Sequence, residues 1–502
     1  MNYVSTRDNS ISLISTEAII KGISSDNGLF VPVEIPKLDM TNLYRDIKSL
    51  DSKESIYAYL AYMIFSIYFD DIDSDYLRTS ISIAYDNPFN GKPAPLKHLT
   101  SNLSVLELFH GPTLAFKDIA LQIMPFLFTE AKRRQNDSSH SLILVATSGD
   151  TGKAALEGYM DVDGVSIVVF YPKDGVSEIQ QLQMTTQEGN NVYVIGVNGN
   201  FDDAQKIVKT IMTDSVFQEE LSKKGIKFSS ANSINIARLI PQIVYYFYSY
   251  FTLLLEGKIS ETEPINFVVP SGNFGNILAS YYAKSMGLPI AKLICASNQN
   301  DVLTDFIRTG EYNTKRDFFT TLSPSMDILV SSNVERLIWY LTGSSSEKTK
   351  RYYEGLAKTG SFKLKEDEHK LLAQSFISYS CDDNETKQNI KDVYDRYSYL
   401  TDPHTAVAFG SYKKYLDDIN DETPTVIVAT ASPYKFASSV LASFELYETD
   451  ISKQFDIIST ISKTITPKSL TDLLSRQVRF DDSVDIGYEK DLLNKYIETI
   501  RA

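Results

Sequence analysis

Six short apolar segments, most of them followed by small polar residues, constrain the fold of this chain more than any other feature. They cover residues 142–146, 166–171, 191–196, 265–269, 292–296 and 425–429. Continuous runs of this length, rich in β-branched residues, are typical of strands that are buried on both faces. Because helical patterns lie between the runs, the sequence predicts an α/β fold with mostly parallel sheets. Ligands of such sheets bind at the carboxyl ends of the strands, where the polar clusters lie.

The length of the chain predicts more than one domain. A chain of 502 residues is too long for a single simple domain. Residues 1–98 are predicted to form short helices and loops. Residues 122–245 hold three of the strand segments and are predicted to be a smaller, mobile α/β domain. It is inserted into a larger domain formed by residues 99–121 and 246–502, in which residues 313–392 are expected to be helices with loops.

Charge and hydrophobicity exclude two classes of partner. The formal net charge of −15 argues against a protein that binds nucleic acid electrostatically. The most hydrophobic run, residues 243–255, is too short to span a bilayer and is predicted to be a buried helix, and a second helix is predicted over 54–69. The N-terminal residues lack a secretory signal pattern. We therefore expect a cytoplasmic protein without a membrane role.

The cysteines and histidines indicate neither a disulfide nor a metal site. Cys295 and Cys381 lack CxxC spacing and are predicted to be reduced, buried thiols. The five histidines are scattered, and no pair has the spacing of metal ligands on a helix. We expect no metal.

Lys117, in the segment HGPTLAFKD, is the first candidate for a chemical role. A lysine amine forms a Schiff base with a carbonyl, and pyridoxal phosphate (PLP) is the commonest carbonyl cofactor. Thr113 is placed to cap a helix that begins near Ala115, with Lys117 in its first turn. The helix dipole would then lower the pKa of the amine. The alternative, from this segment alone, is an exposed surface lysine.

A glycine-rich loop follows the strand segment 265–269 and precedes a helix predicted over 277–286. In this loop, SGNFGN, the glycines allow successive backbone N–H groups to converge, and the helix adds its positive end. The loop lacks the GK[ST] of a P-loop and the glycine spacing of a dinucleotide site. It therefore predicts a site for a single phosphate, with an ordinary strand-to-helix turn as the alternative.

A second strand-to-helix loop, TSGDTG, spans residues 147–152. It offers hydroxyls and backbone N–H groups that suit a substrate carboxylate. The alternative is a helix that Asp150 or Thr151 merely caps.

These three segments, in this order, resemble the threonine synthase family of PLP enzymes, which have the tryptophan-synthase-β-like fold (PLP fold type II). Further segments that resemble the family cover residues 21–32, 171–184, 232–238, 297–301 and 321–327. HGPTLAFKD, SGDTG and SGNFGN at these separations are highly specific together and only moderately so alone.

The resemblance implies a role for each candidate residue. Lys117 would form the Schiff base with PLP, and Thr430 would approach the pyridine nitrogen. The residues implied for the cofactor phosphate are Gly272, Asn273, Phe274, Gly275 and Asn276. The residues implied for the substrate are Thr147, Ser148, Asp150 and Thr151, with Asn232 and Arg238 for its phosphate.

The resemblance also implies a reaction, the conversion of O-phospho-L-homoserine and water to L-threonine and phosphate. Lys117 would remove an α-proton and then a β-proton, phosphate would leave from the γ-carbon, and water would add at the β-carbon. Two alternatives stay open. One is a phospho-lyase that yields 2-oxobutyrate, ammonia and phosphate, and the other is an inactive binding protein of the same fold. The family includes monomers and dimers, so we expect one of these states.

Two positions depart from the family pattern. The family usually has TAHPxKF where this chain has TASPYKF, so that Ser432 replaces a histidine. Asp174 and Gly175 stand where the family tends to have glycine first. The Ser432 departure puts substrate preference or rate in question.

Overall fold

The structure, a computed structural model, describes residues 1–51 and 55–499. The strands are β1 Asn2–Ser5, β2 Ser12–Ile14, β3 Phe30–Pro32, β4 Leu96–His98, β5 Leu103–Glu107, β6 His140–Ala146, β7 Val165–Pro172, β8 Val192–Val197, β9 Ile226–Ser229, β10 Ile265–Pro270, β11 Ile290–Ser297, β12 Glu311–Asn313, β13 Ser361–Lys363, β14 Phe376–Ser380, β15 Thr425–Ala429 and β16 Ser483–Val484.

Helices cover most of the rest of the described chain. They are α1 Ser15–Lys21, α2 Met40–Ser49, α3 Ile56–Tyr68, α4 Ser74–Tyr85, α5 Lys117–Leu121, α6 Met124–Arg134, α7 Asp150–Tyr159, α8 Glu178–Thr185, α9 Phe201–Thr213, α10 Ser215–Lys223, α11 Ile236–Leu239, α12 Pro241–Leu255, α13 Gly275–Met286, α14 Val302–Thr309, α15 Val334–Leu341, α16 Ser346–Thr359, α17 Glu366–Ser375, α18 Asp383–Tyr397, α19 Pro403–Ile419, α20 Ala437–Ala442, α21 Ile451–Ser462, α22 Lys468–Leu473 and α23 Glu489–Thr499. Two short 3₁₀ helices are Pro324–Met326 and Pro433–Phe436.

The larger sheet has the strand order β14-β11-β10-β15-β5-β4. All its pairs are parallel except β4 with β5. Three of the predicted strand segments are β10, β11 and β15, which confirms the prediction of a mostly parallel sheet. The prediction was wrong for β14, because it lies in the region expected to hold only helices and loops. Three of its five residues are buried and two are half-buried, and they pair in register with β11.

The smaller sheet has the order β16-β8-β7-β6-β9, and every pair in it is parallel. The other three predicted segments are β6, β7 and β8. Strand β7 is buried along its whole length, as its continuous apolar run predicts. β16 corrects the predicted division, because it joins the smaller sheet although residues 246–502 were assigned to the larger domain. Leu493 and Ile497 of α23 pack in one apolar cluster with side chains of β6, β7 and β8. The other domain boundaries stay predictions.

The N-terminal region also contains a small antiparallel sheet in the order β2-β1-β3. The sequence prediction of helices and loops alone missed it, because its strands are only three or four residues long. Helix α3 confirms the helix predicted over 54–69, of which residue 54 lies outside the described residues. Helix α12 confirms the buried helix, and it begins at Pro241, a residue that suits the first turn. In the described ranges, no helix is long and apolar enough to cross a membrane.

The strand order brings the candidate segments together. Strands β10, β15 and β5 are neighbours, so their carboxyl ends lie at one edge of the larger sheet. Residues 430–432 after β15 run antiparallel to residues 114–116, with a bridge between Ala115 and Ala431. Phe116 donates its N–H to the Thr430 carbonyl at 2.8 Å. This pairing fixes the chain immediately before Lys117.

Candidate active site

Lys117 begins α5, as predicted, but the local capping differs from the prediction. The helix starts at Lys117 rather than near Ala115, and Phe116 occupies the cap position. Thr113 does not cap it. Instead, Thr113 donates its backbone N–H (2.9 Å) and its hydroxyl (2.6 Å) to the buried carboxylate of Asp118. These two bonds hold the turn that precedes Lys117.

Lys117 is buried, with a side chain that is 9% exposed, so the surface-lysine alternative is excluded. Its Nζ donates to Ser325 Oγ at 3.2 Å and lies 3.6 Å from Asp150 Oδ2. Burial lowers the pKa of the Lys117 amine to about 8, although the Asp150 carboxylate opposes the shift. The sequence predicted a lowered pKa from the helix dipole, whereas the largest cause is desolvation.

Asp150 is a buried carboxylate between two lysines. Lys435 Nζ lies 2.7 Å from its Oδ1, and Lys117 lies on the side of Oδ2. Gln180 donates an amide N–H to Oδ1 at 2.9 Å. Burial by itself would raise the pKa of Asp150, but the ammonium groups of Lys435 and Lys117 outweigh it and hold the pKa well below its usual range. Asp150 is therefore ionised and pairs with cations rather than capping α7.

The loop between β10 and α13 leaves its backbone N–H groups unpaired. Phe274 has a left-handed backbone (φ 61°), which ends the loop as α13 begins. Asn276 fixes the interior of the loop, because it accepts from Ser271 Oγ at 2.8 Å and donates to the Pro270 carbonyl at 2.8 Å. No described residue accepts a hydrogen bond from the N–H groups of residues 272–276. With the positive end of a 12-residue helix, they form a cradle that fits a phosphate.

Other segments press on this loop and fix its path. A Cβ on Gly272 would lie 2.6 Å from the Ser325 carbonyl oxygen, so only glycine fits there. Ser331 Oγ donates to the Gly272 carbonyl at 2.8 Å, and Asn333 Nδ2 donates to the Asn273 carbonyl at 3.0 Å. These two carbonyls are thus paired, which fixes the path of the loop.

The loop between β6 and α7 is arranged differently. Thr147 Oγ1 accepts from the N–H groups of Gly149 (3.0 Å) and Gly152 (2.8 Å), so its hydroxyl oxygen stabilises the loop itself. Ser148 and Thr151 are half-buried, and their hydroxyls have no partner among the described residues. These two hydroxyls are the groups of this loop that are available to a ligand.

Arg238 lies on α11 and is only 4% exposed. Its Nη1 donates to the Ala231 carbonyl at 2.7 Å, while its buried Nε has no partner among the residues that the structure describes. Burial lowers its pKa to about 10, and no carboxylate of the described chain pairs with it. Asn232, seven residues before the end of α11, is half-buried with an unpaired side-chain amide among the described residues. A buried guanidinium without an acidic partner indicates a site for an anion.

Thr430 follows β15 and is buried. Its N–H donates to Thr405 Oγ1 at 3.3 Å, and its own hydroxyl has no partner among the described residues. Ser432 is also buried, and its N–H donates to the Leu114 carbonyl at 3.1 Å. Hydrogen bonds therefore hold the main chain of the segment TASPYKF in place at residues 430 and 432. In this segment only the side chain at position 432 differs from the family pattern.

Sequence reasoning missed three residues of the site: Ser325, His404 and Lys435. Ser325 bonds to Lys117, and its N–H donates to His404 Nε2 at 3.2 Å. His404 Nδ1 in turn lies 2.8 Å from Asp402 Oδ1, which places the imidazole proton on Nδ1. The segments TLSPSMD and TASPYKF contained Ser325 and Lys435, but nothing in their local pattern shows that long-range packing buries these side chains against Asp150.

Fold and site together define a class of protein. A buried lysine with a lowered pKa, a cradle of N–H groups and an unpaired hydroxyl fit the amine, phosphate and ring contacts of one cofactor, PLP. Residues 91–431 match the family described as pyridoxal-phosphate dependent enzyme, so this chain is a PLP-dependent enzyme. Residues 2–85 match the threonine synthase N terminus, and residues 405–490 match the threonine synthase C-terminal family. The chain belongs to the threonine synthase family.

Individual relatives agree with this assignment. The threonine synthase of Saccharomyces cerevisiae is 36% identical over 99% of this chain and 98% of its own length. The crystal structure of PLP-bound threonine synthase from Brucella melitensis superposes with a TM-score of 0.86 at 33% identity, and covers 100% of both chains. The human protein threonine synthase-like 1 is 40% identical over 86% of this chain. The chain spans only 58% of the length of that human relative.

Proposed function

We propose that this chain is a threonine synthase, which converts O-phospho-L-homoserine and water to L-threonine and phosphate. The observation that carries the proposal is the position of Lys117. Its amine lies beside Asp150 in the loop between β6 and α7. The amine also donates to Ser325, whose backbone packs against Gly272 in the phosphate cradle. The similarity to the yeast enzyme along nearly its whole length supports the same activity.

PLP, when bound, supplies an electron sink that stabilises negative charge on the substrate carbons. The N–H groups of residues 272–276 would hold its phosphate, and the Thr430 hydroxyl would face the ring nitrogen. A hydroxyl is a neutral partner for that nitrogen, which favours elimination over transamination. Lys117 Nζ is the atom that would carry the cofactor.

The proton transfers of the reaction fall to the same amine. With substrate bound, Lys117 Nζ would accept the α-proton and, after giving that proton up, would accept a β-proton. A pKa of about 8 leaves a useful fraction of this amine neutral near pH 7 and still lets it return a proton. Ser325 Oγ, at 3.2 Å, orients the amine.

The substrate carries two anionic groups, and the site offers two places for them. Ser148 and Thr151 would bind the carboxylate, next to an Asp150 whose charge the lysines neutralise. Thr147 supports this loop from below. Arg238 and Asn232 would bind the phosphate, because in the described part of the chain Arg238 Nε has no partner and its charge has no counter-ion.

Motion, assembly and location complete the proposal. Residues 122–245, joined by β16 and α23, form the smaller domain, which closes over the substrate and excludes water until it is required. The protein acts in the cytoplasm as a monomer or dimer, and its high negative charge keeps it from nucleic acid.

Product analysis tests the proposed activity. The purified, PLP-loaded protein is incubated with O-phospho-L-homoserine, and phosphate, threonine and 2-oxobutyrate are quantified together. We expect threonine and phosphate in equal amounts. Phosphate with 2-oxobutyrate and ammonia instead of threonine would establish the phospho-lyase. No turnover by a protein that binds PLP would establish an inactive binding protein.

A further inference from the structure

Lys435 is a fully buried lysine that the proposed reaction does not use. Its side chain is 0% exposed, in the 3₁₀ helix Pro433–Phe436 that follows the Thr430 strand end. A buried ammonium group is costly unless it is paired, so its presence requires a reason.

The ammonium group of Lys435 has two partners, and both belong to the site. It donates to the Thr113 carbonyl at 2.8 Å, in the turn before Lys117. It also lies 2.7 Å from Asp150 Oδ1. Because Lys117 lies on the other oxygen of the same carboxylate, two lysines flank one buried anion.

The two lysines differ in what the reaction does to them. The charge at Lys117 Nζ changes as this amine binds the cofactor, leaves it and carries protons. Lys435 contacts the Thr113 carbonyl and Asp150, and the proposed proton transfers do not involve it. Asp150 is buried beside the proposed carboxylate subsite, so it needs a counter-ion that persists when Lys117 is neutral.

We propose that Lys435 is a positioning residue for this reaction, a permanent counter-ion that holds Asp150 ionised and within reach of Lys117 Nζ. The inference rests on the proposed function for its catalytic meaning. Its physical content, a charge coupling among three side chains, is measurable in the protein without cofactor.

The coupling has a sign that can be worked out from the charges that face Lys117. Those charges are Asp150 on α7, Lys435 after β15 and Arg238 on α11. Asp118 on α5 faces Lys435, and His404 on α19 faces Asp150. Removing the Lys435 charge removes a repulsion and leaves Asp150 to Lys117 alone, so the Lys117 pKa rises. Removing the Asp150 charge lowers it. A residue that only fills space would not produce opposite shifts.

The experiment measures the pH dependence of acetylation at Lys117 in the apoprotein, by brief labelling and peptide mass spectrometry. We expect Lys435→Met to raise the labelling midpoint by about one pH unit and Asp150→Asn to lower it by about one unit. The double variant should return toward the wild-type midpoint. Lys435→Arg, which keeps the charge, should leave it in place.

Lys132→Met is the matched control. Lys132 is another buried lysine, but its ammonium bonds the Ser139 carbonyl and Ser141 Oγ on α6 and β6, away from Asp150. It should leave the Lys117 midpoint unchanged. If Lys435→Met does not fold, the test is the comparison of the Lys117 midpoints in Asp150→Asn and in the double variant. The double variant removes both the Lys435 and the Asp150 charge, so neither is left unpaired.

An unchanged midpoint in Lys435→Met, or equal midpoints in Asp150→Asn and the double variant, would overturn the inference. Shifts of the same direction in the two single variants would also overturn it. Because labelling needs neither PLP nor turnover, a failure of the proposed activity leaves this result readable. Conversely, if the wild-type protein makes threonine but Lys435→Met leaves the Lys117 labelling midpoint unchanged, the proposed function stands and this inference is overturned.

Discussion

Two loops of this molecule have the same local architecture and opposite electrostatics. One joins β10 to α13 through residues 271–274, and the other joins β6 to α7 through residues 147–149. Both follow a buried parallel strand, both contain glycine, and both open a helix. From sequence they look like two versions of one anion-binding turn.

They differ in what the backbone N–H groups do. In the first loop the N–H groups of residues 272–276 have no acceptor in the described chain, and the site is made by the backbone. In the second loop, Thr147 Oγ1 accepts hydrogen bonds from the N–H groups of Gly149 and Gly152. The loop then presents side chains, among them the carboxylate of Asp150.

The difference teaches that a glycine turn at a strand end does not by itself define an anion site. The first loop offers fixed backbone dipoles, which suit the cofactor phosphate proposed for it. The second carries a negative charge of its own and becomes compatible with an anionic substrate only because Lys117 and Lys435 neutralise that charge. The first loop needs no other segment to attract an anion, whereas the second needs the charges of lysines from distant segments.

The largest effect is expected at Lys117, where the two loops meet. Lys117→Ala should reduce threonine formation by about 10⁴-fold or more, because it removes both the cofactor attachment and the proton acceptor. PLP should still bind non-covalently through the first loop. Lys132→Ala, at a buried lysine outside the site, is the control and should keep activity. Appreciable threonine formation by the Lys117 variant would break the account.

The next effect is a pH dependence of stability in the apoprotein. The pKa of Lys117 is about 8 in the fold and about 10.5 as its ordinary value. Between these values the unfolded chain binds the additional proton, so the group makes the fold more stable as pH rises. Relative to Lys117→Met, the wild-type free energy of unfolding should increase by about 3 kcal/mol from pH 8 to 10.5. If urea unfolding shows the same change of the free energy of unfolding with pH in the wild type and in Lys117→Met, the lowered pKa is contradicted.

A glycine in each loop sharpens the comparison. Gly272→Ala would place a Cβ 2.6 Å from the Ser325 backbone oxygen and displace the phosphate cradle. We expect the dissociation constant of PLP to rise about 100-fold. Gly149→Ala, at φ 124° and 2.5 Å from the Gln180 side chain, should strain the second loop and raise the substrate KM. Equal losses of PLP affinity in the two variants would show that the loops are not distinct.

The smallest effect is expected at the hydroxyls of the second loop. Thr147→Val leaves two buried N–H groups without an acceptor and should lower the free energy of unfolding by about 1–3 kcal/mol. Ser148→Ala, one residue away and half-buried, should change stability by less than about 0.5 kcal/mol but raise the substrate KM. A stable Thr147 variant would remove the structural role assigned to this hydroxyl.

Much of the fold could be predicted from the sequence, because a strand buried on both faces leaves a continuous apolar run. Strands β6, β7, β8, β10, β11 and β15 were all visible in this way. Strands β1, β14 and β16 were not: β1 is only four residues long, and the pairing of β14 and β16 depends on a neighbour far away in the chain. β16 pairs with β8 across nearly 300 residues, and no local pattern encodes that contact.

The site divides along the same line. The start of a helix at Lys117 and the strand-to-helix loop at Gly272 were predictable, because local sequence motifs mark both. Their roles toward the cofactor stay predictions. The pairing of Asp150 with Lys435 was not, since it joins segments that are 285 residues apart. The cause of the lowered Lys117 pKa was also mistaken, because burial is a property of the assembled structure and not of the five-residue helix α5.

The central claim is that Lys117, rather than Lys435, carries the cofactor. Both amines are buried beside Asp150, so the choice is a direct test. The PLP-loaded protein is reduced with borohydride, digested, and mapped by peptide mass spectrometry. The account predicts a single pyridoxyl-phosphate adduct, on Lys117. An adduct on Lys435, or no adduct in a protein that has bound PLP, would contradict it.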